Sequence, residues 1–431
     1  MESKVLVTFC VTMQILYFRV CVGVPVLEPK LLPQTNTANL STLPVKNEFY
    51  KTFPITISED AILLVPELVH KYGYPCESHT VITSDGYILT MHRISHGRTG
   101  VTAQKRLPVY LQHGQLSSSA DWLLAGPEKS LGYLLADAGY DVWMPNLRGN
   151  RYSRKHMVLS PDEPDFWKFT WHEMGLNDVT AMIDYVLQHT NSTNLHYIGH
   201  SMGTTVFYVM CSEKPEYNQK IKVQMSLAPI GFVDHSKSPL IRLLARIDSL
   251  IKLVTNLLGI HNILSVTKLS PIIGQLFCSD QSVTQFICVN LIFVLFGFNP
   301  KQMNATLLPV IMGHTPAGAS TRQIYHYTQE LNSRKFEKYD YGPLKNIALY
   351  NTIRPPSYVI EKITAPVYLH YSINDFLSSD IDVKRLQTRL PNVIDAILNP
   401  DSKFNHVDYL YGINAKKVLY EPLIENMLKY N

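Results

Sequence analysis

The segment LHYIGHSMGTTVF, Leu195 to Phe207, sets one serine between two glycines, so that Gly199-His200-Ser201-Met202-Gly203 reads G-x-S-x-G. A hydroxyl is a weak nucleophile until a base takes its proton. A tight strand-to-helix turn exposes the oxygen, and flanking glycines let neighbouring backbone approach closely. The residues before the motif read as a short apolar strand and those after it as a helix, so the context fits as well as the spelling. The competing reading is a glycine-punctuated turn with an idle serine, and the partners of Ser201 decide between the two.

On such a corner the partners follow the serine in the order acid, then histidine. The chain has 16 histidines, so position must select among them. A base is expected in a loop after a late strand. His406 in SKFNHVDYL follows the strand-like NVIDAILNP, and Asp375 in SINDF follows PVYLHY. Asp380 and Asp382 compete for the acid role, but SSDIDVKRLQTRL reads as a helix start, where aspartate caps the first turn. Asp408 stands too near His406 in sequence to orient it. Acyl transfer also needs two backbone N–H donors for a developing oxyanion. One is expected from Met202, after the serine, and one from Gln115 in the loop LQHGQLSS after an earlier strand. His113 in that loop precedes the serine and is read as support for the loop. Neither a metal-ligand set nor a cofactor motif is read from the chain.

These residues need a scaffold. SHTVITSDGYILTMHRI carries Asp85-Gly86 at a hairpin turn. LPVYLQHG, DVWMPN, LHYIG and IKVQMSLAPI read as strands, with KSLGYLLADAGY and HEMGLNDVTAMIDYVLQHT as helices between them. APVYLHYSINDF and NVIDAILNP return to strand, and AKKVLYEPLIENMLKYN closes as a helix. Strands alternating with helices imply a mainly parallel sheet covered on both faces. The core is expected over residues 58–230 and 356–431, interrupted by an apolar helical insertion over 231–355. In that insertion SPLIRLLARIDSLIKLVTNLLG is expected as one helix, capped by Ser238 and stopped at Gly259. Leu240, Leu243, Leu244, Ile247, Leu250, Ile251, Val254, Leu257 and Leu258 share its apolar face, and most of them are expected to pack on the core.

Hydrophobic residues make up 46% of the 431 and charged residues 17%, with a net charge of +4 and no basic run to track a phosphate backbone, which gives nucleic-acid binding no support. Residues 1–23 read as a signal segment, with Lys4, an apolar run to Tyr17 and Gly23 before a cleavage point; residues 24–57 read as a leader. No later stretch is long enough to span a bilayer. An exported chain makes the sequons at Asn39, Asn191 and Asn304 candidate glycan sites. Of the six cysteines, Cys10 and Cys21 fall in the signal, leaving Cys76, Cys211, Cys278 and Cys288. The proximity of Cys278 and Cys288 favours that pair, and Cys211 reads as a buried free thiol.

The pieces GYPCESHTVITSDGYIL, LQHG, LADAGYDVWMPNLRGNRYS, LHYIGHSMGTT, HTPAGAS, KFEKYDYG, INDFLSSDIDV and FNHVDYL together resemble the acid lipase family, which includes gastric and lysosomal acid lipases and insect lipases. The resemblance runs in order from about residue 58 to the C-terminus. It implies an α/β-hydrolase core with a cap and lid, Ser201 as nucleophile, Asp375 as acid, His406 as base, backbone donors at Gln115 and Met202, and a lid-region disulfide. It further implies hydrolysis of neutral lipid esters such as triacylglycerol or cholesteryl ester at a lipid–water interface, by a secreted or lysosomal protein. A carboxylesterase for smaller soluble esters and a non-catalytic lipid binder are the alternatives. The chain departs from the family pattern at Met202, usually Gln, at Gln115, usually Leu, and at Pro145 and Leu147, in MPNLRGN for the usual GNSRGN.

Overall fold

The computed structural model describes residues 55–100 and 107–430. The expected signal segment, all but the last three residues of the expected leader, and Asn39 lie outside the described residues.

The chain builds its sheet from strands of short apolar runs. β1 (Glu77–Ile82) and β2 (Tyr87–Ile94) form the hairpin that Asp85-Gly86 turns, with Gly86 in the left-handed region at φ +91°. Then come β3 (Pro108–Gln112), β4 (Asp141–Pro145), the short β5 (Lys155–His156), β6 (Leu195–His200) and β7 (Ile221–Leu227). Two short strands, β8 (Asn262–Ile263) and β9 (Ala319–Ser320), pair apart from the main sheet, which β10 (Val367–Tyr371) and β11 (Val393–Leu398) complete. The main sheet runs β1-β2-β4-β3-β6-β7-β10-β11, with β5 on β2. The β1–β2 and β2–β4 pairs are antiparallel, and from β4 to β11 every pairing is parallel.

Period-two alternation splits the core between the two faces. Val109 and Leu111 of β3, Val142 and Met144 of β4 and Ile198 of β6 pack in one cluster, while Tyr110, Trp143 and Tyr197 pack in the other. Strands buried on both faces read as continuous apolar runs, as these do. Helix α1 (Met202–Glu213) follows β6, and its residues from Met202 to Ser212 are all buried.

The register aligns the strand ends that matter. Gln112 pairs with Gly199 across β3 and β6, and His200 with Leu227 across β6 and β7. The loops at the carboxyl ends of β3, β6, β10 and β11 therefore open on one edge of the sheet, where open α/β sheets bind ligands.

Between β7 and β10 the chain is mainly helical: α2 (Pro239–Arg246), α3 (Asp248–Leu257), α4 (Ser270–Cys278), α5 (Gln285–Phe296), α6 (Leu308–His314), α7 (Thr321–Ser333) and α8 (Pro343–Tyr350). The single helix expected from Ser238 to Gly259 is two helices. They break at Ile247, which leaves the helical region at φ −113°, ψ 18°, and Ser238 makes no side-chain cap bond. Asp248 opens the second helix and pairs with Lys252 one turn on, at 3.1 Å. The expected packing of the apolar face also fails. Leu240, Leu244 and Ile251 are half-buried, but Leu243, Ile247, Leu250, Val254, Leu257 and Leu258 are exposed, Leu257 by 76%. α3 buries no residue at all. Cys278 and Cys288, on α4 and α5, are joined (S–S 2.07 Å); Cys211 is buried and free, and Cys76 is half-buried and free. No helix among the described residues is long and apolar enough to cross a membrane.

Candidate active site

Ser201 sits on the corner between β6 and α1 with φ +55° and ψ −122°, a conformation that non-glycine residues rarely hold. Its surroundings hold it there. The Ser201 N–H donates to the Leu227 carbonyl at 3.0 Å, and the Ser201 carbonyl accepts from Thr204 Oγ1 at 2.7 Å. Thr204 Oγ1 in turn accepts from the Ile230 N–H at 2.8 Å. The flanking glycines answer to packing. A Cβ at Gly199 would lie 2.7 Å from the Gly203 carbonyl oxygen, and one at Gly203 would collide with the Gln112 carbonyl.

His406, in the loop after β11, places Nε2 at 2.8 Å from Ser201 Oγ. Its Nδ1 lies 2.8 Å and 3.0 Å from the two carboxylate oxygens of Asp375, in the loop after β10. All three side chains are buried, Ser201 least so at 8% exposed. Asp375 Oδ1 also accepts from the N–H groups of Leu377 and Ser378, each at 2.8 Å. The carboxylate thus has three fixed donors, which hold it oriented toward His406.

The rival acids are spent elsewhere. The cap of the helix α9 (Asp380–Arg389) is Ser379, whose hydroxyl accepts from the Ile381 N–H. Asp380 pairs with Lys237 at 3.1 Å, and Asp382 accepts from the N–H and the imidazole of His235. Asp408 accepts from the Asn405 N–H and from Asn299 Nδ2, each at 2.8 Å. Burial pushes its pKa up to about 7; those donors oppose the rise, and Asp401 and Asp375 add to it.

Two buried histidines beside the site are neutral. Burial lowers the pKa of His113 to about 4. Its Nδ1 donates to the Gly114 carbonyl at 2.8 Å, and its Nε2 accepts from the Leu147 N–H at 3.1 Å and from Asn150. His113 therefore ties the loop after β3 to the loop after β4 and does not face Ser201. Because residue 147 contributes its main chain, leucine there leaves the tie intact. Burial, reinforced by His406, lowers His200 to about 3. Its Nε2–H donates to the His406 carbonyl at 2.9 Å.

The loop after β3 abuts the corner: a Cβ on Gly114 would lie 3.1 Å from that of Ser201. Gln115 follows at once and is half-buried. Met202, first residue of α1, has an N–H with no acceptor inside its helix. The structure thus gathers the loop of Gln115, Met202, Ser201, His406 and Asp375 at one place.

Sequence reasoning missed three supports. Arg148 is buried and reaches both Asp178 (2.6 Å) and Asp85 (2.7 Å), its guanidinium over the Tyr87 ring at 3.9 Å. Burial opposes its charge, and the two carboxylates outweigh that opposition. Phe296, at the end of α5, accepts from the N–H groups of His406 and Phe376 and lies parallel to the His406 ring at 5.9 Å. Gln323, on α7, donates to Gln115 Oε1. Only Gln323 had a local signal, the S-x-x-Q capping box from Ser320, and that signal places it at a helix start and says nothing of what it touches.

Residues 65–126 match the family described as partial alpha/beta-hydrolase lipase region, and residues 108–248 the alpha/beta hydrolase fold. Lipase 3 of Drosophila melanogaster is 43% identical over 84% of this chain and 92% of its own length. Gastric triacylglycerol lipase of Rattus norvegicus is 36% identical over 85% of this chain and 92% of its own. A solved structure from Sulfolobus solfataricus shares the fold at a TM-score of 0.56 and 12% identity, over 87% of this chain and 98% of its own. With identities of that size over most of both chains, the chain belongs to the lipase family that includes gastric triacylglycerol lipase.

Proposed function

We propose that this protein is a serine hydrolase of neutral lipid esters in which Ser201, His406 and Asp375 form the catalytic triad. The observation that carries the reading is the chain of contacts from Ser201 Oγ through the two nitrogens of His406 to the Asp375 carboxylate. With Nδ1–H donated to Asp375, Nε2 has its lone pair toward Ser201. As Oγ attacks the ester carbonyl, its proton passes to Nε2, and the imidazolium is stabilised by Asp375. The carbonyl oxygen becomes an oxyanion that takes the N–H groups of Met202 and Gln115. Collapse breaks the C–O bond to the alcohol, which leaves with the proton from Nε2. Water, deprotonated by His406, then attacks the acyl-serine and releases the fatty acid.

The substrate class follows from the cap and the relatives. α3 turns Asp248, Lys252 and Thr255 inward, Thr255 on the Tyr325 hydroxyl, and leaves Leu250, Leu253, Val254, Leu257 and Leu258 in solvent. Apolar area of that kind suits a lipid–water interface. The Rattus relative's name specifies triacylglycerol. The Cys278–Cys288 bridge fits the secretory route to an extracellular or lysosomal destination. On that route Asn191, exposed after a helix end at φ +49°, and the half-buried Asn304 are glycan acceptors.

A fluorophosphonate probe, with rates on dispersed triolein and on a soluble short-chain ester, tests the reading. Labelling that needs Ser201, with the faster rate on triolein, is expected. A faster rate on the soluble ester would make it a carboxylesterase, and no labelling of Ser201 would sink the enzymatic reading.

A further inference from the structure

Gln115 and Met202, two of the positions at which the chain departs from its family pattern, converge on one side chain of the cap. Gln323 is buried at the third position of α7, where its Oε1 accepts from the Ser320 N–H at 2.9 Å. That bond orients the amide. With the oxygen turned to Ser320, the NH2 group faces the corner. It donates to Gln115 Oε1 at 3.0 Å and lies 3.4 Å and 3.5 Å from the sulfurs of Met202 and Met174. The cap holds the same loop by its backbone. The Ala317 N–H donates to the Leu116 carbonyl at 2.6 Å, and Leu116 stands in the left-handed region at φ +60°.

This arrangement carries a cost. Once Gln115 Oε1 is committed to Gln323, its Nε2 turns elsewhere, and that nitrogen is buried with no partner among the described residues. A buried unpaired donor is destabilising, and leucine would fill the place without one. Stability alone does not account for the pair.

We propose that Gln323 is a positioning residue for ester hydrolysis, holding Gln115 and Met202 so that their backbone N–H groups converge on the oxyanion. The proposal rests on the reading of Ser201 as nucleophile. It implies that the base of the cap, at α7, belongs to the catalytic frame, so any opening of the cap leaves α7 in place.

The test is a double-mutant cycle on the full chain, with kcat and KM on a soluble ester, fluorophosphonate stoichiometry and Tm. Gln323→Leu is expected to lower kcat about five- to tenfold, the scale of one neutral hydrogen bond, with KM within about twofold and full labelling. In a Gln115→Leu background the same substitution is expected to cost clearly less than in the wild type, since only the contact with Met202 is then left to lose. Gln323→Glu keeps an acceptor for Ser320 and loses the donor to Gln115, so it serves as the second variant if the leucine fails to fold. Wild-type kcat in a folded Gln323 variant, or an equal loss in both backgrounds, would overturn the proposal. A wild-type chain that neither takes the probe nor hydrolyses ester would instead overturn the nucleophile reading itself.

Discussion

The serine corner and helix α3 obey opposite rules. At the corner the three side chains Ser201, His406 and Asp375 are buried and partnered with one another, in a space closed by Phe296, His200 and the loop of Gln115. In α3, Lys252 and Thr255 lie against Tyr325, while Leu250, Leu253, Val254 and Leu257 are exposed to solvent. Each would be a fault if folding were the only demand, since a strained serine and a row of exposed leucines both cost free energy. On the proposed function the corner binds the atoms that react, whereas α3 meets the medium that holds the substrate. Chemistry should therefore fail when the corner is altered, whatever the substrate, and changes to α3 should matter only when the substrate forms a surface.

The widest break is at the corner. Ser201→Ala is expected to lower kcat by about a million-fold on soluble and dispersed esters alike, with Tm nearly unchanged and no probe labelling. Substantial residual turnover would move the chemistry away from this corner. Asp375→Asn follows, at about ten-thousand-fold in kcat. The asparagine oxygen can still accept from Leu377 and Ser378, so the loop keeps its shape. Its NH2, however, faces His406 Nδ1 and favours the tautomer whose Nε2 carries the proton. A pre-steady-state burst on an activated ester separates the effects: acylation slows, and substrate affinity holds.

The two regions also differ in how far they can be read without coordinates. The corner is legible because each of its residues lies in a loop after a recognisable strand, and strand order with G-x-S-x-G spacing sets the sequence in which partners appear. The hairpin at Asp85-Gly86 and the alternation of strands and helices are legible for the same local reasons. Periodicity in SPLIRLLARIDSLIKLVTNLLG shows a stripe, but not which way the stripe faces or that it breaks at Ile247, because facing is set by tertiary neighbours such as Tyr325. Arg148 gave no sign that it would be buried between Asp85 and Asp178, residues 63 and 30 positions away. Contacts of that range are chosen by the fold, and no short window of sequence encodes them.

A charge placed on the outward face of α3 sharpens the comparison at a smaller scale. Leu253→Asp with Leu257→Asp removes two exposed leucyl side chains from the face proposed to meet lipid. Burial of each is worth roughly 1.5–3 kcal/mol, so adsorption to a triolein emulsion should weaken at least about tenfold. Turnover of a soluble short-chain ester should stay within about twofold, and Tm should move little, since surface changes are usually within about 0.5 kcal/mol. Equal losses on both substrates would mean that α3 supports the corner and not the interface.

The smallest effect lies beside the corner, at Asp408. Its pKa is raised to about 7 from 3.8, by burial first and then by Asp401 and Asp375. A raised carboxyl binds its proton more tightly in the folded chain than in the unfolded one. Its contribution to stability is therefore complete below about pH 4 and is lost as the pH climbs through about 7. Asp408→Asn removes that dependence while keeping an oxygen to accept from Asn405 or Asn299. The Tm of the variant minus that of the wild type should become more positive between pH 4 and pH 8. Because Asp408 is not a partner of His406, kcat at a fixed acid pH should change less than it does in Asp375→Asn by several orders of magnitude. A flat Tm difference would show that the carboxyl titrates alike in both states, and a large loss of kcat would make Asp408 part of the corner and not its neighbour.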